Sequence, residues 1–162
     1  MNRSNRFPFF LVALVPFFIW ACSSSQPAVQ QGPQRVLIET SLGQMIVELS
    51  DSTPGHRDNF VKLVDEGFYD DLLFHRVIKG FMVQGGDPGS RGAKSGKRLG
   101  SGGPGYTLDA EIRSDHLHTK GALSAARQGD NVNPAKKSSG SQFYLVQGKQ
   151  QKAGQLRKTQ RK

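Results

Sequence analysis

Phe74-His75-Arg76-Val77-Ile78-Lys79-Gly80-Phe81-Met82-Val83-Gln84-Gly85-Gly86-Asp87 is the stretch on which the reading of this chain turns. It sets a cation, an aromatic ring, a thioether and an amide close together, just ahead of a glycine turn. No nucleophile and no pair of carboxylates stands among them, so the stretch is ill suited to bond cleavage. It suits gripping a small apolar ring while hydrogen-bonding an amide. Leu72 to Ile78 and Phe81 to Gln84 read as two short strands broken by Lys79-Gly80. Gly85 to Gly105 then forms a long glycine-rich loop. A phosphate-binding loop is excluded there, because Gly96-Lys97 is followed by Arg98 and preceded, five positions back from Gly96, by Arg91. The glycines supply backbone freedom instead.

Working outward, Arg35 to Glu39 and Gln44 to Leu49 are apolar, β-branched runs around Thr40-Ser41-Leu42-Gly43 and predict a β-hairpin. Thr53 is placed to cap a helix whose first residue is Pro54. Phe60, Leu63 and Val64 fall on one face of that helix and Gly67 stops it. Arg57 and Asp58 face away, toward solvent. Gly121 to Ala126 and Gln142 to Val146 supply further strands. Many short strands with one helix predict a mainly β fold, a closed antiparallel barrel with a helix covering an end.

The Phe74–Asp87 run closely resembles the central motif of the cyclophilin-type peptidyl-prolyl cis-trans isomerases. A second match follows in the same order, in Gly121-Ala122-Leu123-Ser124-Ala125-Ala126 and Ser139-Gly140-Ser141-Gln142-Phe143-Tyr144. Together they cover about Arg35 to Gln147. The resemblance implies an eight-stranded barrel capped by helices, and catalysis of rotation about X–Pro bonds without cofactor or metal. The physical problem is amide resonance, which imposes a barrier of ~18–20 kcal/mol on rotation. A catalyst need only favour the twisted state, in which the nitrogen gains a lone pair that a guanidinium can address. The match assigns that role to Arg76. It places Phe81 and Met82 along a proline pocket and gives Gln84 a hydrogen bond to the substrate backbone. Tyr144 falls where the family commonly presents phenylalanine to the pocket. Ala126 matches a small residue that leaves room for the substrate chain, and Gln142 a substrate-side polar position. Arg127 stands where many members carry asparagine, so contacts to the residue before proline are expected to differ.

The histidines are read as structural. Alternation puts His75 on the opposite strand face from Arg76. His116 and His118 lack the third and fourth ligands that a metal site needs, so no metal is expected.

The ends of the chain carry a different message. Arg3 and Arg6 precede Phe7 to Ala21, an apolar run of 15 residues, short of the ~20 needed to span a bilayer. Residues 1–21 therefore read as a cleaved export signal. Cys22, the single cysteine, follows Ile19-Trp20-Ala21 and precedes three serines. That arrangement resembles a bacterial lipoprotein signal, which implies a lipidated Cys22; a chance cysteine behind an ordinary signal is the alternative. Ser23, in place of an aspartate, favours the outer membrane, facing the periplasm. Residues 22–34 are rich in Ser, Gln and Pro and read as a flexible tether. The folded domain is expected over 35–148 and a basic polar tail over 149–162.

The formal charge of +9 belongs to the ends. Residues 1–21 carry +2, residues 149–162 carry +6, and residues 22–148 a net +1. A nearly neutral domain behind an export signal excludes nucleic acid as the expected partner. Proline-containing polypeptides and, through the anchor, a membrane take its place. The tail reads as a solvated basic end or as a contact for anionic lipid.

After Ser139–Tyr144 the family continues with further strands and a helix, which deliver more pocket residues. Here Lys149 to Lys162 is polar and basic, so a barrel without its final strands is expected. A fragment, strands supplied by another chain, and a reduced domain are the three explanations. Two functions are consistent with these residues: a lipid-anchored isomerase assisting the folding of exported proteins, or a non-catalytic lipoprotein that binds proline-containing segments.

Overall fold

The computed structural model describes residues 32–150. The expected export signal, Cys22, most of the expected tether and the tail from residue 151 lie outside the described residues.

The first two strands, β1 (Arg35–Thr40) and β2 (Gly43–Glu48), form the expected antiparallel hairpin. Its turn is closed by Thr40, whose hydroxyl donates to the Gly43 carbonyl at 2.8 Å and accepts the Leu42 amide at 3.1 Å. Residues directly opposite share a face. One face pairs Arg35 with Glu48, Leu37 with Ile46, and Glu39 with Gln44; the other turns Val36 and Val47 inward.

Helix α1 (Pro54–Asp65) begins at the expected proline, but Thr53 does not cap it through its side chain. The Thr53 hydroxyl turns back to the Ser50 carbonyl. The free amides of Gly55 and His56 are taken by the Glu111 carboxylate, at 3.0 and 2.8 Å, which also meets the His56 ring Nδ1 at 2.5 Å. A carboxylate is the stronger acceptor at a helix N-terminus, and tertiary packing delivers one from 55 residues away. The other end closes as predicted, in a Schellman motif. Gly67, at φ +65°, donates to Val64 and Phe68 to Leu63. Arg57 departs from expectation: it is largely covered and donates to both Asp51 and Asp58. Glu111→Ala should cost about 1–2 kcal/mol, read as a lower urea midpoint; an unchanged midpoint would remove Glu111 from the cap.

The remaining strands are β3 (Arg76–Ile78), β4 (Met82–Gly85), β5 (Thr107–Leu108), β6 (Leu123–Ala125), β7 (Ser138–Ser139) and β8 (Phe143–Val146). Four of them form an antiparallel sheet in the order β3-β4-β8-β6, and β5 pairs with β7. Pairing begins at Arg76 rather than at the expected Leu72. The two-residue strands β5 and β7 are too short to show a period. The three sheets stay separate, and no closed barrel forms among the described residues.

Phe143 centres an aromatic cluster on one face of the four-stranded sheet. Phe60 of α1, Tyr69 and Phe74 meet its ring at 5.5, 5.6 and 6.2 Å, all close to edge-on. The Tyr69 hydroxyl is held by the Ser141 carbonyl, and burial pushes its phenol well above the ordinary tyrosine range. No helix among the described residues is long and apolar enough to cross a membrane.

Candidate active site

Strand parity assembles the site. Arg76 lies opposite Gln84, Gln84 opposite Tyr144, and Tyr144 opposite Ser124. These four therefore form one row across the sheet, all on the face away from Phe143. Met82, two residues before Gln84, shares this face. Gln142 and Ala126 continue it one step beyond the strands, joined by an Ala126 amide to Gln142 carbonyl bond of 2.8 Å. Residues spread over 69 positions from Arg76 to Tyr144 thus meet because three β-pairings place them there.

A directed chain of hydrogen bonds runs through the row. Arg76 Nη1 donates to Gln84 Oε1 at 3.2 Å, Gln84 Nε2 to Gln142 Oε1 at 2.9 Å, and Gln142 Nε2 to the Gly102 carbonyl at 2.7 Å. The guanidinium has donors only, so it sets the orientation of both amides in turn. Gln84 and Gln142 are buried, whereas Arg76 is exposed at the open end. Gln84 keeps one N–H and one lone pair for another partner. Gln142, expected at the substrate side, holds Gln84 and the glycine loop in place.

The apolar residues divide. Phe81 stands in the turn before β4 and is 47% exposed, with its ring 6.4 Å from that of Tyr144. Met82 is 2% exposed, so its thioether forms the floor beneath them. The Tyr144 hydroxyl lies 2.6 Å from His118 Nε2. Burial raises the Tyr144 phenol above its ordinary range despite the nearby Ser124 hydroxyl and Arg127 charge, so it stays protonated at neutral pH. Arg127 pairs with Asp130. All seven residues expected to act in the site line an open groove, part of a space of about 1140 Å³ that reaches Phe60, Tyr69 and Phe143 of the other face as well. His116 and His118 turn to different partners, Ser50 and Tyr144. His75 sits behind Arg76 with both ring nitrogens covered, as alternation predicts.

Sequence reasoning left the glycine loop without a role, and the structure supplies one. Asp87 is 2% exposed, and its carboxylate accepts the amides of Gly89, Gly100 and Gly102 at 2.7, 2.5 and 3.3 Å. A Cβ on Gly102 would stand 2.1 Å from Asp87 Oδ1. Asp87 thereby gathers the loop and fixes the Gly102 carbonyl that terminates the hydrogen-bond chain. Its signal in the sequence was Asp87-Pro88-Gly89, where the acid caps the 3-10 turn Pro88–Ser90 through the Gly89 amide, but the Gly100 and Gly102 amides follow no spacing rule.

Burial alone would raise the Asp87 carboxyl, but the three amides outweigh it and hold it below its ordinary value. Glu111 is lowered in the same way, burial being outweighed by His56 and the helix amides. A folded-state pKa below the unfolded one adds stability above the unfolded value, ~4 for carboxylates. That stability disappears as pH falls through the folded value. Urea midpoints should therefore drop between about pH 5 and pH 2, and the drop should shrink in Asp87→Asn and Glu111→Gln. A midpoint as steep in both variants as in the parent chain would contradict this assignment.

Comparison with known proteins agrees with this fold. The family model described as cyclophilin-type peptidyl-prolyl cis-trans isomerase/CLD matches residues 35–158. Peptidyl-prolyl cis-trans isomerase B of Bacillus subtilis is 46% identical over 97 residues, covering 59% of this chain and 58% of the relative. The chain thus spans less than two thirds of that relative's length. A crystal structure of a cyclophilin-type peptidyl-prolyl cis-trans isomerase from Cryptosporidium parvum superposes with a TM-score of 0.61 at 33% identity, covering 72% of this chain and 68% of the other. The same parasite protein solved in the presence of the dipeptide Ala-Pro gives 0.56 at 32% identity, over 71% and 68%. With a mainly β fold and one α-helix among the described residues, and a family match that takes in all the strands described, the chain belongs to the cyclophilin-type peptidyl-prolyl cis-trans isomerase family.

Proposed function

We propose that this chain catalyses cis–trans rotation about X–Pro peptide bonds, with Arg76 as the catalytic residue. The observation that carries the reading is the directed chain from Arg76 through Gln84 and Gln142 to the Gly102 carbonyl. It aims an exposed guanidinium over a groove with a half-exposed ring, Phe81, on a thioether floor, Met82. A pyrrolidine ring packs against Phe81 and Tyr144, and the flexible Met82 side chain adapts beneath it. The free N–H and lone pair of Gln84 hold the substrate backbone while Ala126 leaves room for the chain. As the C–N bond twists, the prolyl nitrogen becomes pyramidal, and its emerging lone pair meets the Arg76 guanidinium. That contact exists only in the twisted state, so it lowers the barrier rather than merely strengthening binding. No proton moves and no covalent bond forms.

The reading includes closure of an eight-stranded antiparallel barrel, to which the edges of the β1–β2 hairpin and of β3 and β6, unpaired among the described residues, are suited. It also includes export behind residues 1–21, lipidation at Cys22 and residence on the periplasmic side of the outer membrane, supported by Arg3, Arg6 and the apolar run before the cysteine. Exported, proline-containing polypeptides are then the substrates.

The test is cis–trans exchange of an Ala-Pro peptide, followed by NMR with the full chain. Accelerated exchange is expected. Peptide binding without acceleration would replace catalysis by the non-catalytic binding reading.

A further inference from the structure

The segment between β5 and β6, residues 109–122, has no regular structure, yet several contacts tie it to the fold, among them three made by side chains. Glu111 caps helix α1, His116 Nε2 meets the Ser50 hydroxyl at 3.2 Å, and His118 Nε2 meets the Tyr144 hydroxyl at 2.6 Å. The third contact lies in the groove. The His118 and Tyr144 rings are nearly parallel, 9° apart, with centroids separated by 5.8 Å. At that separation the rings lie side by side, and the hydrogen bond between their edges defines the pair. Tyr144 in turn faces the Phe81 ring. A phenylalanine at 144 would leave His118 without this partner.

From this geometry we infer that His118 is a positioning residue of the proline pocket, holding the Tyr144 ring in place against Phe81 through the Nε2···Oη hydrogen bond. The inference rests on the proline-binding reading above. A half-buried tyrosine beside an open groove keeps rotational freedom about χ1 and χ2 even with the Ser124 hydroxyl near its own. The bond to an imidazole carried by a segment already fastened at Glu111 and His116 removes that freedom before substrate arrives. Pre-ordering of this kind strengthens binding because less side-chain entropy is lost in the complex.

The experiment is a double-mutant cycle on the full chain, with Kd for an Ala-Pro-containing peptide measured by NMR titration. Tyr144→Phe and His118→Ala should each raise Kd about 3- to 10-fold, as expected for one hydrogen bond. The double variant should be no weaker than Tyr144→Phe, because that substitution already removes the His118 hydrogen bond. His118→Gln, which keeps a hydrogen-bonding group at that reach, should recover most of the loss. In the unliganded protein the His118 ring nitrogen resonances should move in Tyr144→Phe. A packing role alone would lower the melting temperature and leave Kd unchanged, and that result overturns the inference. Additive losses in the double variant overturn it too. A parent chain that binds no peptide overturns the proline-binding reading together with this one, whereas a binding parent with equally binding variants overturns this one alone.

Discussion

Replacing Arg76 by alanine should slow proline isomerisation about 100- to 1000-fold, the usual effect of deleting one preorganised donor at a developing charge. The same substitution should leave the melting temperature within the range of ordinary surface changes. Arg76 is exposed, and its side-chain hydrogen bond of 3.2 Å to Gln84 opens on the groove, where water can take its place. A factor of 100–1000 corresponds to about 2.7–4 kcal/mol, a modest share of the ~18–20 kcal/mol rotational barrier. The remainder of any acceleration falls to the apolar pocket and to Gln84. Arg76→Lys discriminates further. Lysine keeps the charge but offers a compact ammonium in place of a planar fork, so it should recover only part of the rate. Full activity in the alanine variant would remove Arg76 from the chemistry. A parallel fall in melting temperature would make it a structural residue.

The largest effect on stability is expected at Gly86. This glycine has φ +85°, and a Cβ there would stand 2.2 Å from the Ser141 carbonyl oxygen and 2.9 Å from Gln142 Cα. Both neighbours are backbone, so neither can swing aside. The Gly86 carbonyl also accepts the Ser141 hydroxyl at 2.7 Å. Gly86→Ala therefore has to part the two chains that bring Gln84 beside Gln142. A loss of more than about 4 kcal/mol is expected, enough to unfold a domain of ordinary stability. Gly92→Ala is the control. Its φ is +59°, but nothing lies within 4 Å of the added Cβ, so the cost should be the ~1–2 kcal/mol of the left-handed backbone alone. Denaturant midpoints measure both. Equal losses at the two glycines would show that backbone conformation, rather than the close approach of the chains, makes Gly86 necessary.

Much of this molecule is legible along the chain. The β1–β2 hairpin, the start of α1 at Pro54, its stop at Gly67 and the β3–β4 pair follow from rules that act within a few residues. Local sterics and hydrogen bonding decide them. The motif residues Arg76, Phe81, Met82 and Gln84 were equally legible as neighbours, because their spacing on two adjacent strands and the turn between them fixes their relation. The tertiary structure decided what long-range pairing controls. It replaced Thr53 by Glu111 at the helix cap, since a carboxylate brought by folding outcompetes a local hydroxyl. It drew Arg57 into ion pairs with Asp51 and Asp58. It made Asp87 the organiser of the glycine loop and turned Gln142 into the support of Gln84. It also set His118 against Tyr144. Apart from the Arg57 pairs and the Asp87–Gly89 bond, each of these contacts joins groups at least 13 residues apart, beyond the reach of any helical or strand period. Sequence alone supplies the side chains and their local geometry. Which donor meets which acceptor across the fold is settled when the strands pair and burial makes every unpartnered polar group costly.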